Sequence, residues 1–308
     1  MMETMVGMQC FVRSAEAGSF SEAARRLGMT SAAVGKNVAR LESGLGVRLF
    51  HRSTRSLTLT EAGEHFLQEI SGGLSSIQSA IANLSNVGGQ PAGMLKVSMG
   101  TGFGRTYLVP LLEPFLETYP AISPDWHFEN RQIDLIAEGF DAAIGGGFEL
   151  PPGVIARELA PAHRVLVAAP HYFEDKHPPR SPDDLAHFDG IYIRSPQTGR
   201  VRPWPLRNQS NEQTPVTLRT RMTLSDPEAA CQCAQMGLGI ALVSLPNALP
   251  FLESRALIRV LPDWYVDGGS LSLYFAAQRL LPAKTRVFID FVVEHFRTQK
   301  LAERFTAY

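Results

Sequence analysis

Ser31, Ala32, Gly35, Lys36, Asn37 and Arg40 occupy one side of a helical repeat whose other side carries Ala33, Val34, Val38 and Leu41. Small residues let a backbone come close to a ligand, and Lys36, Asn37 and Arg40 carry donors and positive charge. That combination suits a helix lying in a DNA groove. Shortly after it, Arg52, Thr54 and Arg55 stand in a basic stretch, Arg48 to Leu59, that reads as two short strands joined at Ser53-Thr54-Arg55. A basic hairpin of this kind reaches phosphates or the minor groove.

These residues need elements to hold them. Thr30 is placed to cap the helix that carries Ser31 to Glu42. A shorter helix precedes it, with Ser21 as its expected cap, Ala23, Ala24 and Leu27 on one face, and Gly28 as its left-handed stop. Two helices separated by Gly28 and Met29 have the layout of a helix-turn-helix, and the hairpin supplies a wing. An earlier helix, about Thr4 to Ala17, offers Met5, Met8, Phe11, Val12 and Ala15 to a small core. Charge agrees. The 308 residues carry a net charge of −1, yet residues 1–58 balance at +4, with eight Arg and Lys against four Glu, and the remainder at −5.

Residues 11–63 resemble the winged helix-turn-helix of the LysR-type transcriptional regulators. The resemblance rests on Phe11-Val12, Gly18 to Ser21, Ala23-Ala24, Leu27, Ala33-Val34, Val38, Leu41-Glu42, Leu45-Gly46, Leu49-Phe50-His51-Arg52 and Leu59-Thr60-Glu61-Ala62-Gly63. The family usually has Ser at the position of Gly35, and a mid-helix glycine costs about 1 kcal/mol relative to alanine.

Beyond residues 1–60, Leu67, Ile70, Leu74, Ile77, Ile81 and Leu84 form a heptad seam over residues 61–88. The seam is expected to pair two subunits, the alternative being that it packs on its own domain. The resemblance implies a linker helix of this kind and a homotetramer built from homodimers. Residues 89–93 read as a hinge.

Residues 94–308 alternate apolar strand runs with helical segments, which argues for α/β architecture with parallel sheets and crossover helices. The helix after the Leu95–Met99 strand is expected over Tyr107 to Tyr119. The resemblance implies two Rossmann-like lobes, as in periplasmic binding proteins, with a small-molecule effector between them. Lobe one is placed at 94–164 and 272–308, lobe two at 165–271. Carried over by position, the effector site comprises Thr101, Gly102, Arg131, Gly146, Arg194, Ser195, Ser225 and Asp226. Thr101 offers a hydroxyl, the N–H groups around Gly102 to Arg105 an anion cradle, and Arg131 or Arg194 a bidentate clamp for an organic acid. Gly145-Gly146-Gly147 stands where many relatives carry an arginine, which weakens the case for an anion.

Other chemistries fit poorly. Gly100-Thr101-Gly102-Phe103-Gly104 approaches a dinucleotide loop but has Arg105 where glycine or alanine is needed. Cys231-Gln232-Cys233 is too closely spaced for the usual zinc pair. No cofactor, metal or catalytic residue is expected, and no enzyme. Three cysteines and no charged-then-apolar leader point to a cytoplasmic protein, and no apolar run is long enough for a membrane span. The expected function is a DNA-binding transcription regulator responding to an effector, with double-stranded DNA as partner and RNA polymerase as a candidate one. The alternative is a small-molecule-binding protein without a regulatory DNA role.

Overall fold

A computed structural model describes residues 2–52, 57–70, 73–74, 90–147, 151–195, 198–201, 203–277 and 281–308, with residues 2, 3 and 52 described by backbone alone. The chain divides into two compact units. Met1–Gly89 and Asp134–Phe140 form one, Gln90–Ile133 and Asp141–Tyr308 the other.

The first unit opens with helices α1 (Met2–Ala17), α2 (Phe20–Leu27) and α3 (Ser31–Leu45). Gly28, at φ 62°, ends α2 in the left-handed conformation, and the Thr30 side chain accepts the Ala33 N–H at the start of α3. The cap of α2 is Ser19 and not Ser21, because the chain turns helical at Phe20. Ser21 lies inside the helix, its hydroxyl 3.4 Å from that of Ser31. Strands β1 (Phe50–Arg52) and β2 (Leu57–Leu59) pair antiparallel, with Phe50 opposite Leu59. Helix α4 follows over residues 61–70. The core between these elements holds Phe11, Ala23, Val34, Val38, Leu41, Leu49 and Phe50. The Phe11 ring lies 5.2 Å from that of Phe50 and 5.5 Å from that of Phe66.

The seam begins differently from its expected role. Leu67 and Ile70 are partly buried against this same core, and Leu74 is buried within it. An amphipathic helix leaving the wing finds apolar surface on its own domain first. Ile77, Ile81 and Leu84 lie outside the described residues.

In the second unit the strands are β3 (Gly93–Met99), β4 (Ile122–Phe128), β5 (Ala142–Gly146), β6 (Val154–Ala168), β7 (Asp189–Ile193), β8 (Trp204–Arg207), β9 (Gln213–Val216), β10 (Arg219–Leu224), β11 (Ile240–Ser244), β12 (Ile258–Val260) and β13 (Val266–Ala276). Among the described residues one nine-stranded sheet runs β10-β7-β11-β6-β13-β5-β3-β4, with β12 also on β6, and β8 and β9 pair separately. The pairs β3 with β4, β3 with β5, β7 with β10 and β7 with β11 are parallel. The expected parallel pairing does not extend to the middle of the sheet. There the long strands β6 and β13 pair with each other and with their other neighbours antiparallel. They are the two crossings between lobes, so they run in opposite directions.

The core is divided accordingly. One cluster joins Leu95, Val97, Met99, Phe115, Leu273, Phe288 and Phe296. Two more flank the strands beyond the crossings, with Leu166 on one face and Val165 and Val167 on the other. Both faces of that part of β6 are covered, which is why the sequence there is a continuous apolar run. Ala307, near the end of the chain, joins the cluster of Val165 and Val167.

The helical run after β3 starts at Thr101, six residues ahead of the expected Tyr107. It passes from α5 (Thr101–Phe103) through a π turn (Gly104–Leu108) and a 3-10 turn (Val109–Leu111) into α6 (Leu112–Thr118). Pro110 has no N–H to give, so the ladder changes pitch around it. Further helices are α7 (Pro227–Gln235), α8 (Leu245–Glu253), α9 (Ala283–Thr298) and α10 (Leu301–Arg304). At the start of α9, buried Lys284 pairs with Asp141 at 2.7 Å and also donates to the Met94 carbonyl. The same Asp141 oxygen accepts the Lys96 N–H at 2.9 Å.

Candidate functional site

The outer face of α3 has the composition its sequence implied. Val34, Val38 and Leu41 are buried, and Ser31, Ala32, Lys36 and Arg40 are exposed. Asn37 departs from the expectation. It is half-buried and so borders the outer face without standing fully on it.

The basic balance of this unit is partly spent within it. Glu22 takes Arg25 at 2.7 Å and Arg26 at 3.1 Å along α2, which holds its carboxyl below the ordinary range. Arg13 pairs with Glu16 at 2.8 Å. Lys36 and Arg40 on α3 and Arg48 before the wing are exposed beside the candidate reading face. Thr54 and Arg55 lie outside the described residues, as does the side chain of Arg52.

Sequence reading missed what fixes the wing. Glu42 is 7% exposed. Its Oε1 accepts the N–H groups of Leu49 at 2.9 Å and Phe50 at 3.2 Å. Thr60 closes the other side: its hydroxyl donates to the Arg48 carbonyl at 2.7 Å and accepts the Gly63 N–H at 3.0 Å. Gly63 sits so close to Leu49 that a Cβ there would lie 2.1 Å from the Leu49 carbonyl oxygen. A buried acid seven residues before its partners, and an invading carbonyl, leave no periodic signal.

The second site is a cavity of about 290 Å³ in the second unit, where the strand ends of the two lobes face each other. Of the eight expected residues, Arg131, Gly146, Arg194 and Ser195 line it. Thr101, Gly102, Ser225 and Asp226 do not. Two N–H groups at the start of α5, one of them in the expected anion cradle, are already bonded within the chain. The Thr101 N–H donates to Asn130 Oδ1 at 3.0 Å, and the Gly104 N–H to the Gly100 carbonyl at 2.7 Å. Asp226 caps α7 by accepting the Ala229 N–H at 2.8 Å, and its other oxygen takes Asn130 Nδ2. Ser225 is exposed.

The lining also includes Ser98, Glu129, Asn130, Arg164, Trp204 and Tyr274. Its charged members are three arginines and one carboxylate among the described residues. Arg131 Nε is paired with Glu129 at 2.6 Å, so it is a poorer free clamp than expected. Arg164 changes the reading of the three glycines. A Cβ on Gly147 would stand 3.3 Å from an Arg164 terminal nitrogen. The cation missing after β5 is supplied from β6, and Gly147 leaves it room. Because 17 residues separate the two, only the pairing of strands brings them together.

Other reactive groups are withdrawn. Burial, with Glu228 and Asp226 adding to it, pushes the Cys231 thiol up to about 12. Among the described residues no group of three His, Cys, Asp or Glu could hold a metal ion.

Residues 5–64 match the model of the bacterial regulatory helix-turn-helix protein, lysR family. Residues 88–297 match that of the LysR substrate binding domain. The chain belongs to the LysR-type family of transcriptional regulators. Curated relatives include the HTH-type transcriptional activator TtdR of Escherichia coli K12, 31% identical over 92% of this chain and 91% of that protein. The HTH-type transcriptional regulator DmlR of the same strain is 31% identical over 94% and 93%. Among solved structures, the full-length virulence activator AphB of Vibrio cholerae superposes with a TM-score of 0.61 at 26% identity, covering 94% of this chain and 98% of that one. CrgA of Neisseria meningitidis gives 0.59 at 28%, covering 96% and 98%. The family is one of DNA-binding regulators with an effector-binding domain, not of enzymes. Among the described residues no helix is long and apolar enough to cross a membrane.

Proposed function

We propose that this regulator reads its operator with α3, anchors on flanking phosphates through Arg52 and Arg55, and responds to a small organic anion held in the cavity of the second unit. The observation that carries the effector class is the lining, which holds Arg131, Arg164 and Arg194 against one carboxylate, Glu129. A carboxylate can take two parallel N–H bonds from an arginine fork, a charge-assisted pairing stronger than one between neutral groups. Ser98, Ser195 and Ser244 border the same space and suit a hydroxyl or a second carboxylate of the ligand.

The active form is a homodimer joined by the later part of the linker seam, with a dimer of dimers as the assembly on DNA. The protein acts in the cytoplasm, and RNA polymerase is the partner through which occupancy of the operator is read. The DNA-binding domain spans 1–60, the linker helix 61–88, the hinge 89–93 and the effector-binding domain 94–308.

The test is thermal shift of the full chain against small carboxylates and their neutral amides. Stabilisation by an acid but not its amide, lost in Arg164→Gln and Arg194→Gln, supports an anionic effector. Stabilisation by amides alone contradicts it. A ligand at 100 times its Kd stabilises by about 2.7 kcal/mol, well within reach of such an assay.

A further inference from the structure

Glu129 is the one carboxylate among the described residues that line the cavity, and it stands there with three arginines. It follows β4, and its Oε2 takes Arg131 Nε at 2.6 Å. The Arg131–Glu129 pair therefore brings no net charge to that wall. The other oxygen, Oε1, lies 3.4 Å from the hydroxyl of buried Ser98 on β3. That is longer than an ordinary O–H···O bond, and an ionised carboxylate has about four acceptor sites over its two oxygens. Oε1 thus keeps capacity for a further donor, and the Glu129 side chain is 23% exposed to receive one.

The excess positive charge comes from other elements. Arg164 stands on β6 opposite Ser244 of β11, and Arg194 follows β7. The cavity is therefore bipolar, with an acceptor after β4 and cations on β6 and after β7. A ligand carboxylate at Arg164 or Arg194 meets opposite charge, whereas one at Glu129 meets like charge. We infer, resting on the effector site proposed above, that Glu129 sets the specificity of this cavity by accepting a hydrogen bond from the effector. The effector is then a carboxylic acid that also bears an N–H or O–H donor, an amino or hydroxy acid, and not an unsubstituted acid. A site built to bond a donor rejects the analogue that lacks it, because the site's own polar group is left unpaired.

The experiment supplies straight-chain acids of about three to six carbons, with one or two carboxylates, in unsubstituted, 2-hydroxy and 2-amino forms, a size range suited to a small-molecule pocket. Apparent Kd values come from thermal-shift titration of the full chain as wild type, Glu129→Gln and Glu129→Leu. At one chain length the hydroxy or amino form is expected to bind wild type about tenfold or more tightly than the unsubstituted acid, the worth of a hydrogen bond to a charged group. Glu129→Leu is expected to erase that preference and to bind the unsubstituted acid at least as tightly as wild type does. Glu129→Gln separates the two donors. An ammonium loses its preference there with the charge it pairs with, and a hydroxyl keeps part of its own, since the amide oxygen still accepts. Wild type that binds the unsubstituted acid as tightly as its hydroxy and amino forms overturns the inference and leaves the anionic effector standing. A preference unchanged in Glu129→Leu does the same. If no acid in any form stabilises wild type, both fall.

Discussion

Asn130 Nδ2 donates to Asp226 Oδ2 at 2.8 Å, tying the loop after β4 in the first lobe to the cap of α7 in the second. Asn130 also accepts the Thr101 N–H. One exposed amide thus organises two helix starts at the edge of the cavity. The Arg105–Glu228 ion pair runs alongside.

A double-mutant cycle of Asn130→Ala and Asp226→Ala should therefore give a coupling of about 0.5–1.5 kcal/mol in thermal or urea unfolding. Asp226→Ala should be the costlier single change, because it also removes the cap of α7, which is worth about 1 kcal/mol. A coupling of zero would mean that the two side chains do not meet in solution.

Glu42 sets the wing relative to α3. Glu42→Ala leaves the Leu49 and Phe50 N–H groups without their acceptor, each costing about 1–3 kcal/mol where buried. Unfolding of the DNA-binding unit should shift to lower temperature, and DNA affinity should fall even though Glu42 is on the buried side of α3. Glu42→Gln keeps an acceptor oxygen and should cost less. Equal behaviour of the two variants would contradict this account.

Lys284 and Asp141 are 8% and 11% exposed and hold the first strand of the effector-binding unit to its last long helix. Lys284→Met strands the carboxylate and should destabilise by about 3–5 kcal/mol. Lys284→Met with Asp141→Asn should recover part of that loss. Urea unfolding of the full chain reads both.

Histidine gives the acid dependence. Burial lowers the His163 pKa below its ordinary value, the Arg207 and Arg259 charges pull the same way, and Asp267 opposes them. His163 Nδ1 accepts the Ala307 N–H at 3.1 Å, which only the neutral ring can do. The unfolded chain, with an ordinary value of about 6.5, binds the proton more readily than the folded one. Stability from this group is thus complete above about pH 6.5 and is lost as pH falls toward the lowered folded value. His295, also lowered by burial, acts in the same direction. The melting temperature should drop between pH 7 and pH 5.5, and His163→Gln should flatten that drop. An unchanged pH profile in the variant would remove His163 as a cause.

Local pattern was legible in the sequence, and pairing at a distance was not. Thr30, Gly28 and the 3.6-residue repeat placed the start of α3 within a residue, because caps and amphipathic faces are set by near neighbours. Ser19 displaced Ser21 as a cap since both are two residues apart and only backbone direction separates them. At the cavity, Arg131, Gly146, Arg194 and Ser195 were placed by family position. Arg164 was not, because it reaches Gly147 only through the fold. Thr101, Gly102 and Asp226, expected by family position too, lie outside the lining, where the Thr101 N–H and the Asp226 carboxylate already bond Asn130 and the start of α7.

The central claim is tested most directly by fluorescence anisotropy of the full-length protein on the DNA upstream of its own gene, beside random DNA, across a salt series. The account predicts tight binding to the first and weak binding to the second. It also predicts a steep salt slope that falls by about one unit in Arg52→Ala and in Arg55→Ala. Absence of binding to either DNA at low salt would contradict it.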